Sequence, residues 1–202
     1  MSNLFEESNV RIFKLFFGLC TYLFANILSL FFYRRKYIKG KYFSGKYGGI
    51  FAIGWKWIVN DCIARIFLGV NKGVPFPISP FSRIGGPPGN ITFDVNDLNN
   101  FQSKGIYIQA MGKITIGSNT YIAANVGIIT SNHKIKNLEF HDEPKDVFIG
   151  NSCWIGMNSV VLPGVTLGDH TIVGAGSIVT KSFYEGNCVI AGNPAVKIKN
   201  LM

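Results

Sequence analysis

Residues 130–146 read TSNHKIKNLEFHDEPKD and hold two of the three histidines in the chain, His133 and His141. An imidazole, with an ordinary pKa near 6.5, takes up a proton at neutral pH. His133 is therefore a candidate general base for an attacking nucleophile, an assistance of about 10²–10⁴-fold. His141 has several open roles: orienting an acceptor, pairing with His133, or touching a neighbouring subunit. Glu139, Asp142 and Asp146 are each candidates to orient a base, and spacing alone does not choose among them. His170 follows Asp169 and reads as a left-handed turn residue. The histidines form no close H-x₄-H pair, so no metal centre is expected. Cys20, Cys62, Cys153 and Cys188 lie far apart without a C-x-x-C pair and read as free, core-filling thiols in a reducing compartment.

The element that must position these residues is a repeat of six. Aliphatic residues stand at Ile116, Ile122 and Ile128, then at Ile149, Ile155, Val161, Leu167, Val173 and Val179. Two positions earlier stand Ile114, Thr120 and Val126, then Val147, Cys153, Ser159, Val165, Thr171 and Ser177. Three positions after the aliphatic stand Asn119, Asn125, Ser152, Asn158, Gly164, His170 and Gly176, mostly types that enter the left-handed backbone region readily. A period of six fits a short strand with two inward side chains followed by a turn with one unusual backbone angle. Three such units close one triangular coil, and stacked coils pair their strands in parallel. Less regular units around Ile78, Ile84, Ile91 and Ile106 extend the stack to about five coils or more. The register breaks between Ile128 and Ile149, a gap of 21 residues, so the histidine-bearing stretch must leave the coil as a loop. Loops on a rigid scaffold commonly carry function. The repeat glycines do not make a nucleotide-binding loop.

At 202 residues and 48% hydrophobic content the chain is a globular domain with an appendage. Its formal charge of +9 is lopsided. Residues 1–72 hold eleven Lys and Arg against Glu6, Glu7 and Asp61, a balance of +8, leaving +1 for residues 73–202. That distribution excludes a basic nucleic-acid face on the repeat domain. Residues 15–33, LFFGLCTYLFANILSLFFY, carry no charge and are about long enough to cross a ~30 Å hydrocarbon layer. Arg34, Arg35, Lys36, Lys39, Lys41 and Lys46 follow, interleaved with Tyr33, Tyr37, Tyr42 and Tyr47, a cationic and aromatic flank suited to the anionic membrane surface. FFYRRK offers no cleavage site for a signal peptide. Residues 50–70 predict an amphipathic helix, with Lys56, Asn60, Asp61 and Arg65 on its polar half and Phe51, Trp55, Ile58, Cys62, Ile66 and Phe67 on its apolar half. Such a helix either lies in the membrane interface or packs on the globular body. Residues 1–72 are thus expected to be a membrane-associated helical region, and 73–202 the repeat domain.

The tract IGNSCWIGMNSVVLPGVTLGDHTIVGAGSIVTK, with VIAGNPAVKIK behind it, resembles the hexapeptide-repeat acyltransferases, from about residue 76 onward. With the apolar N-terminus and ITIGSNTYIAANVGIITSNHK, it resembles most the O-acetyltransferases of capsule, exopolysaccharide and lipopolysaccharide assembly. The resemblance implies a mainly β fold, a left-handed parallel β-helix, and transfer of an acetyl group from acetyl-CoA to a sugar hydroxyl with His133 as base and no metal. It implies a homotrimer that binds coenzyme A between adjacent β-helices, at positions matching Met157, Gly174, Ala175, Thr180, Lys181, Asn193, Pro194, Lys197 and Lys199. Open backbone amides at the Gly174 and Ala175 turn would approach the pantetheine arm, and the lysines would meet phosphates. Trp154, outward by register, would line the thioester channel or seal a subunit interface, and Gln109 would touch the acceptor. Acetyl-CoA, the positive flank and a lipid-linked sugar acceptor together point to the cytoplasmic face of the plasma membrane. N-acetylation of an amino-sugar nucleotide and a non-enzymatic scaffold role are the alternatives.

Overall fold

The computed structural model describes residues 2–44 and 48–201, with side chains from Val10 onward. Lys46 and Tyr47 of the predicted cationic flank lie outside the described residues. Two helices, α1 (Ser2–Phe32) and α2 (Ile53–Phe67), precede a coil of short strands. In chain order these are β1 (Arg83–Gly85), β2 (Ile91–Thr92), β3 (Tyr107–Gln109), β4 (Ile114–Ile116), β5 (Tyr121–Ile122) and β6 (Gly127–Ile129). After an excursion formed by β7 (His133–Lys134) and β8 (Asn137–His141) come β9 (Val147–Ile149), β10 (Trp154–Ile155), β11 (Val160–Val161), β12 (Thr166–Leu167), β13 (Thr171–Val173) and β14 (Ile178–Val179). The chain closes on β15 (Cys188–Gly192) and β16 (Ala195–Asn200).

Successive strands pass to successive faces. One sheet orders β1, β3, β6, β11 and β14, a second β2, β4, β9 and β12, and a third β5, β10, β13, β15 and β16. Pairing along each face is parallel except between β15 and β16, where the tail folds back on itself. Coils therefore stack at the ~4.8 Å strand spacing. Aliphatic residue lies over aliphatic residue, as in Ile114 beside Val147 and Ile116 beside Ile149.

Both inward positions of all nine regular units are buried, polar members included. Three of the four buried hydroxyls are satisfied locally: Ser159 donates to the Gly156 carbonyl (2.6 Å), Thr171 to Gly168 (2.7 Å) and Ser177 to Gly174 (2.6 Å), while Thr120 donates to the Gly150 carbonyl of the next coil (2.7 Å). Seven of the nine regular units are followed by a corner with a positive φ, supplied by Asn119, Asn125, Ser152, Asn158, Gly164, His170 and Gly176, between +54° and +82°. His170 is thus a turn residue, as its place beside Asp169 suggests. Where coils approach most closely only glycine fits. A Cβ on Gly168 would lie 2.3 Å from the Tyr184 carbonyl oxygen.

The helical region departs from its wheel. Asp61 and Arg65, expected on a solvated face, are buried, while Ile66, Phe67 and Phe51 are exposed. The reason is a fully satisfied ion pair. Asp61 accepts from Arg65 Nε (3.0 Å) and Nη2 (2.7 Å), from the Tyr33 hydroxyl (2.8 Å) and from the Ile78 backbone N–H (3.0 Å). Arg65 also donates to the Val74 (2.6 Å) and Phe76 (3.0 Å) carbonyls. The cluster joins the end of α1, the middle of α2 and the segment 74–78 that leads to the coil. Phe51 fills the space beside Gly18, Tyr22 meets Trp55 edge-on at 5.0 Å and Tyr33 reaches Asp61, so the two helices run side by side in the same direction. Cys20, expected in the core, is exposed because α1 turns that face outward, whereas Cys62, Cys153 and Cys188 are buried; all four are free thiols. Replacing Asp61 by Ala strands the Arg65 charge. Urea unfolding of Asp61→Ala is expected to show a loss of about 3–5 kcal/mol.

Candidate active site

The stretch expected as a loop is a two-stranded antiparallel hairpin, β7 with β8, exposed along its length. Its root is fixed to the coil. The Gln109 side-chain oxygen accepts from the Ser131 (2.9 Å) and Thr130 (3.3 Å) amides, and the Thr130 hydroxyl donates to the Gln109 carbonyl (2.6 Å). Across the two legs, Asp142 N–H donates to the Asn132 carbonyl (2.8 Å), Ser131 Oγ to that of Asp142 (2.8 Å) and Lys145 N–H to that of Thr130 (2.7 Å). Asp146 accepts from the Lys113 amide (2.8 Å), one coil away.

This register places His133 opposite His141, their ring centroids 4.1 Å apart and 35° from parallel. The His133 Nδ1 lies 2.6 Å from the Leu138 carbonyl oxygen. A carbonyl only accepts, so Nδ1 carries the proton and, in the neutral ring, Nε2 keeps its lone pair. Neither Glu139, Asp142 nor Asp146 orients the His133 ring. The orienting group is a main-chain carbonyl, which no residue-type pattern reveals. The hairpin tip places Ile135, Leu138 and Phe140 in solvent.

Stacking puts several residues on one edge of the coil. Gln109 pairs with Ile129 below the hairpin root, and Ile128, Val161 and Val179 stack above one another. Thr180 and Lys181 therefore stand two coils above the hairpin root, about 10 Å away, both exposed.

The family model for bacterial transferase hexapeptide (six repeats) matches residues 146–181. The chain is 43% identical over 93 residues to the galactoside O-acetyltransferase of Escherichia coli, covering 44% of each protein. It is 33% identical over 156 residues to the putative lipopolysaccharide biosynthesis O-acetyl transferase WbbJ of Escherichia coli, covering 71% of this chain and 74% of that one. This chain is a hexapeptide-repeat transferase. It spans less than half the length of the galactoside enzyme. A hexapeptide-repeat-containing acetyltransferase of Vibrio cholerae shares the fold, with a TM-score of 0.50 at 18% identity over 92% of this chain and 93% of that one.

In this hexapeptide-repeat transferase the expected donor residues fall on more than one edge. Met157 stacks beneath Ala175, and Ala175 beneath Gly192, by the register of Trp154, Ile172 and Val189. Asn193 and Pro194, joined by a cis peptide bond, follow in the exposed turn between β15 and β16. Met157, Ala175 and this turn thus share one edge, while Thr180 and Lys181 share the next with the hairpin. One expectation needs correction. The Gly174 amide is not open to a ligand but donates to the Ile190 carbonyl (2.8 Å), and its missing side chain makes room for Ala191, 2.8 Å from where a Cβ would sit. Lys197 lies 3.9 Å from Glu185, and Lys199 pairs with Val189 on the third face. Trp154 is exposed there beside Tyr121. Lys181 Nζ stands 5.9 Å from the Phe183 ring centroid.

Gln109 touches the hairpin root rather than open space. Gln109→Ala leaves two amides without their acceptor, a cost of about 1–3 kcal/mol felt locally. Hydrogen exchange at Thr130 and Ser131 is expected to speed up, with the distant β13 and β15 amides unchanged.

Proposed function

We propose that this chain transfers an acetyl group from acetyl-CoA to a hydroxyl of a sugar during surface-polysaccharide assembly, with His133 as general base. The observation that carries the reading is the short hydrogen bond from His133 Nδ1 to the Leu138 carbonyl. It presents Nε2 as an acceptor on a hairpin that projects from the coil. The names of the relatives, a galactoside O-acetyltransferase and a lipopolysaccharide biosynthesis O-acetyl transferase, support the acyl group and the acceptor class.

Nε2 takes the hydroxyl proton as the oxygen attacks the thioester carbonyl. The tetrahedral oxyanion collapses, the carbon–sulfur bond breaks, and the imidazolium returns its proton to the departing thiolate. No enzyme nucleophile is required. Cys153 is unsuited to that role, since it is buried and burial pushes its thiol pKa up.

The division of the donor residues between two edges favours a homotrimer in which the hairpin edge of one subunit faces the Met157 edge of the next, with coenzyme A between them. The coil is taken as left-handed, the hand of the family. The candidate span Val10–Phe32, 23 residues with most of its apolar side chains outward, together with the +8 balance of residues 1–72, favours attachment to the cytoplasmic face of the plasma membrane.

Release of CoA thiol in the presence of glycan acceptors tests the chemistry. His133→Ala is expected to lower kcat by about 10²–10⁴-fold with unchanged circular dichroism and oligomeric state. Full activity in that variant would exclude His133 as the base. Washing membranes with high salt should leave the protein bound, and detergent should release it; release by salt alone contradicts insertion of the apolar helix.

A further inference from the structure

A cleft of about 450 Å³ opens where the helical region meets the first coil, between Arg34 and Lys36 on one side and Pro88, Gly89 and Thr92 on the other. Its floor is rigid. Tyr37 is buried, stacked on Phe93 at 5.4 Å and 11°, and set edge-on to Phe76 at 5.2 Å. The Arg34 backbone is pinned by its amide, which donates to the Pro75 carbonyl (2.9 Å). Arg34 and Lys36 are both exposed, and Lys36 Nζ lies 4.7 Å from the Tyr37 ring centroid. Among the described residues, no carboxylate lines the cleft. Two unneutralised cations over an aromatic floor suit a compact polyanion.

The position of the cleft says more than its composition. Arg34 stands two residues past the end of α1, whose outward face carries Leu23, Phe24, Ile27, Leu30 and Phe31. Anything whose charged group rests on Arg34 and whose apolar tail follows α1 lies at the lipid boundary. Pro88 and Gly89 form the first-coil corner of the same edge that carries the hairpin. Asn90 ties that corner to the next by donating to the Ala110 carbonyl (3.0 Å), and Gly112 N–H donates to Thr130 at the hairpin root (3.0 Å). Two coil spacings, about 10 Å, separate the cleft from the root of the hairpin that holds His133.

We propose that this cleft binds the diphosphate of a lipid-linked sugar, holding the acceptor so that its glycan extends along the coil edge to His133. This rests on the acetyltransferase reading above and names its acceptor class. The shared chemistry is a sugar diphosphate, which a soluble nucleotide sugar also carries. The apolar α1 face leading into the cleft selects the lipid form.

Two measurements test it. Geranyl diphosphate titrated by calorimetry into detergent-solubilised full-length protein should bind, and binding should weaken about tenfold or more in the double variant Arg34→Gln/Lys36→Gln. The charge-preserving Arg34→Lys/Lys36→Arg should retain it. In acetyl-transfer assays, the same glycan is offered as a prenyl diphosphate, as a nucleoside diphosphate and as a simple glycoside. The prenyl diphosphate form should have a KM about tenfold or more below the glycoside, with similar kcat, and the double variant should lose that advantage. Equal KM values in wild type, or an advantage that survives the double variant, overturns the cleft. A nucleoside diphosphate form used as well as the prenyl form overturns the lipid assignment. Geranyl diphosphate binding without acetylation of any glycan would uphold the cleft and refute the acetyltransferase reading instead.

Discussion

A single coil of this molecule has an apolar inside and no neighbour to cover it, so stability comes only from stacking. Each strand of two or three residues exchanges hydrogen bonds with the strands above and below and lays its two inward side chains on theirs. That constraint dictates the rest. Corners must turn at fixed intervals, which at most of them is done by a residue with positive φ, and coils must approach closely, which requires glycine at points such as Gly168. The side chains that remain outward, and whatever leaves the coil at a corner, are free to do chemistry. The hairpin uses that freedom. It leaves between β6 and β9 without disturbing the pairing of β4 with β9 or β6 with β11.

The second organising element is the Asp61–Arg65 pair. A buried ion pair costs desolvation on both sides and is maintained where further hydrogen bonds satisfy the remaining lone pairs and protons. Here those come from Tyr33 on one helix and from backbone groups of residues 74–78. The pair thus fixes how the apolar helices meet the first coil, and with it the position of Arg34 and Lys36. On the proposed reading the coil edge is ordered from membrane to cytosol: anionic anchor of the acceptor, general base, then Thr180 and Lys181 for the acyl donor.

Much of the repeat domain was legible in the sequence. The interval of six located every inward residue of the regular units, and the residue types at the third following position located the corners. The 21-residue gap located the hairpin and its histidines. Cys153 as core and His170 as a turn residue followed from register alone. The helical region was less legible, because a helical wheel sorts residues by polarity and cannot anticipate that Asp61 and Arg65 neutralise each other inside. Gly174 was misread for a related reason: glycine signals either an open amide or a close approach, and only the neighbouring coil, with Ile190 and Ala191, decides which.

By itself the sequence determined the periodic core, because burial at period six depends on local spacing that any stacked arrangement must honour. It also determined that His133 and His141 stand outside that core. Only the tertiary structure decided which atom of His133 is available, since the Leu138 carbonyl that holds Nδ1 is a backbone group common to all residues. The tertiary structure likewise decided that Gln109 braces the hairpin, and that Arg34 and Lys36 share an edge with His133. Those relations join residues 21 to more than 90 positions apart, brought together by stacking and by a buried ion pair that no local pattern encodes.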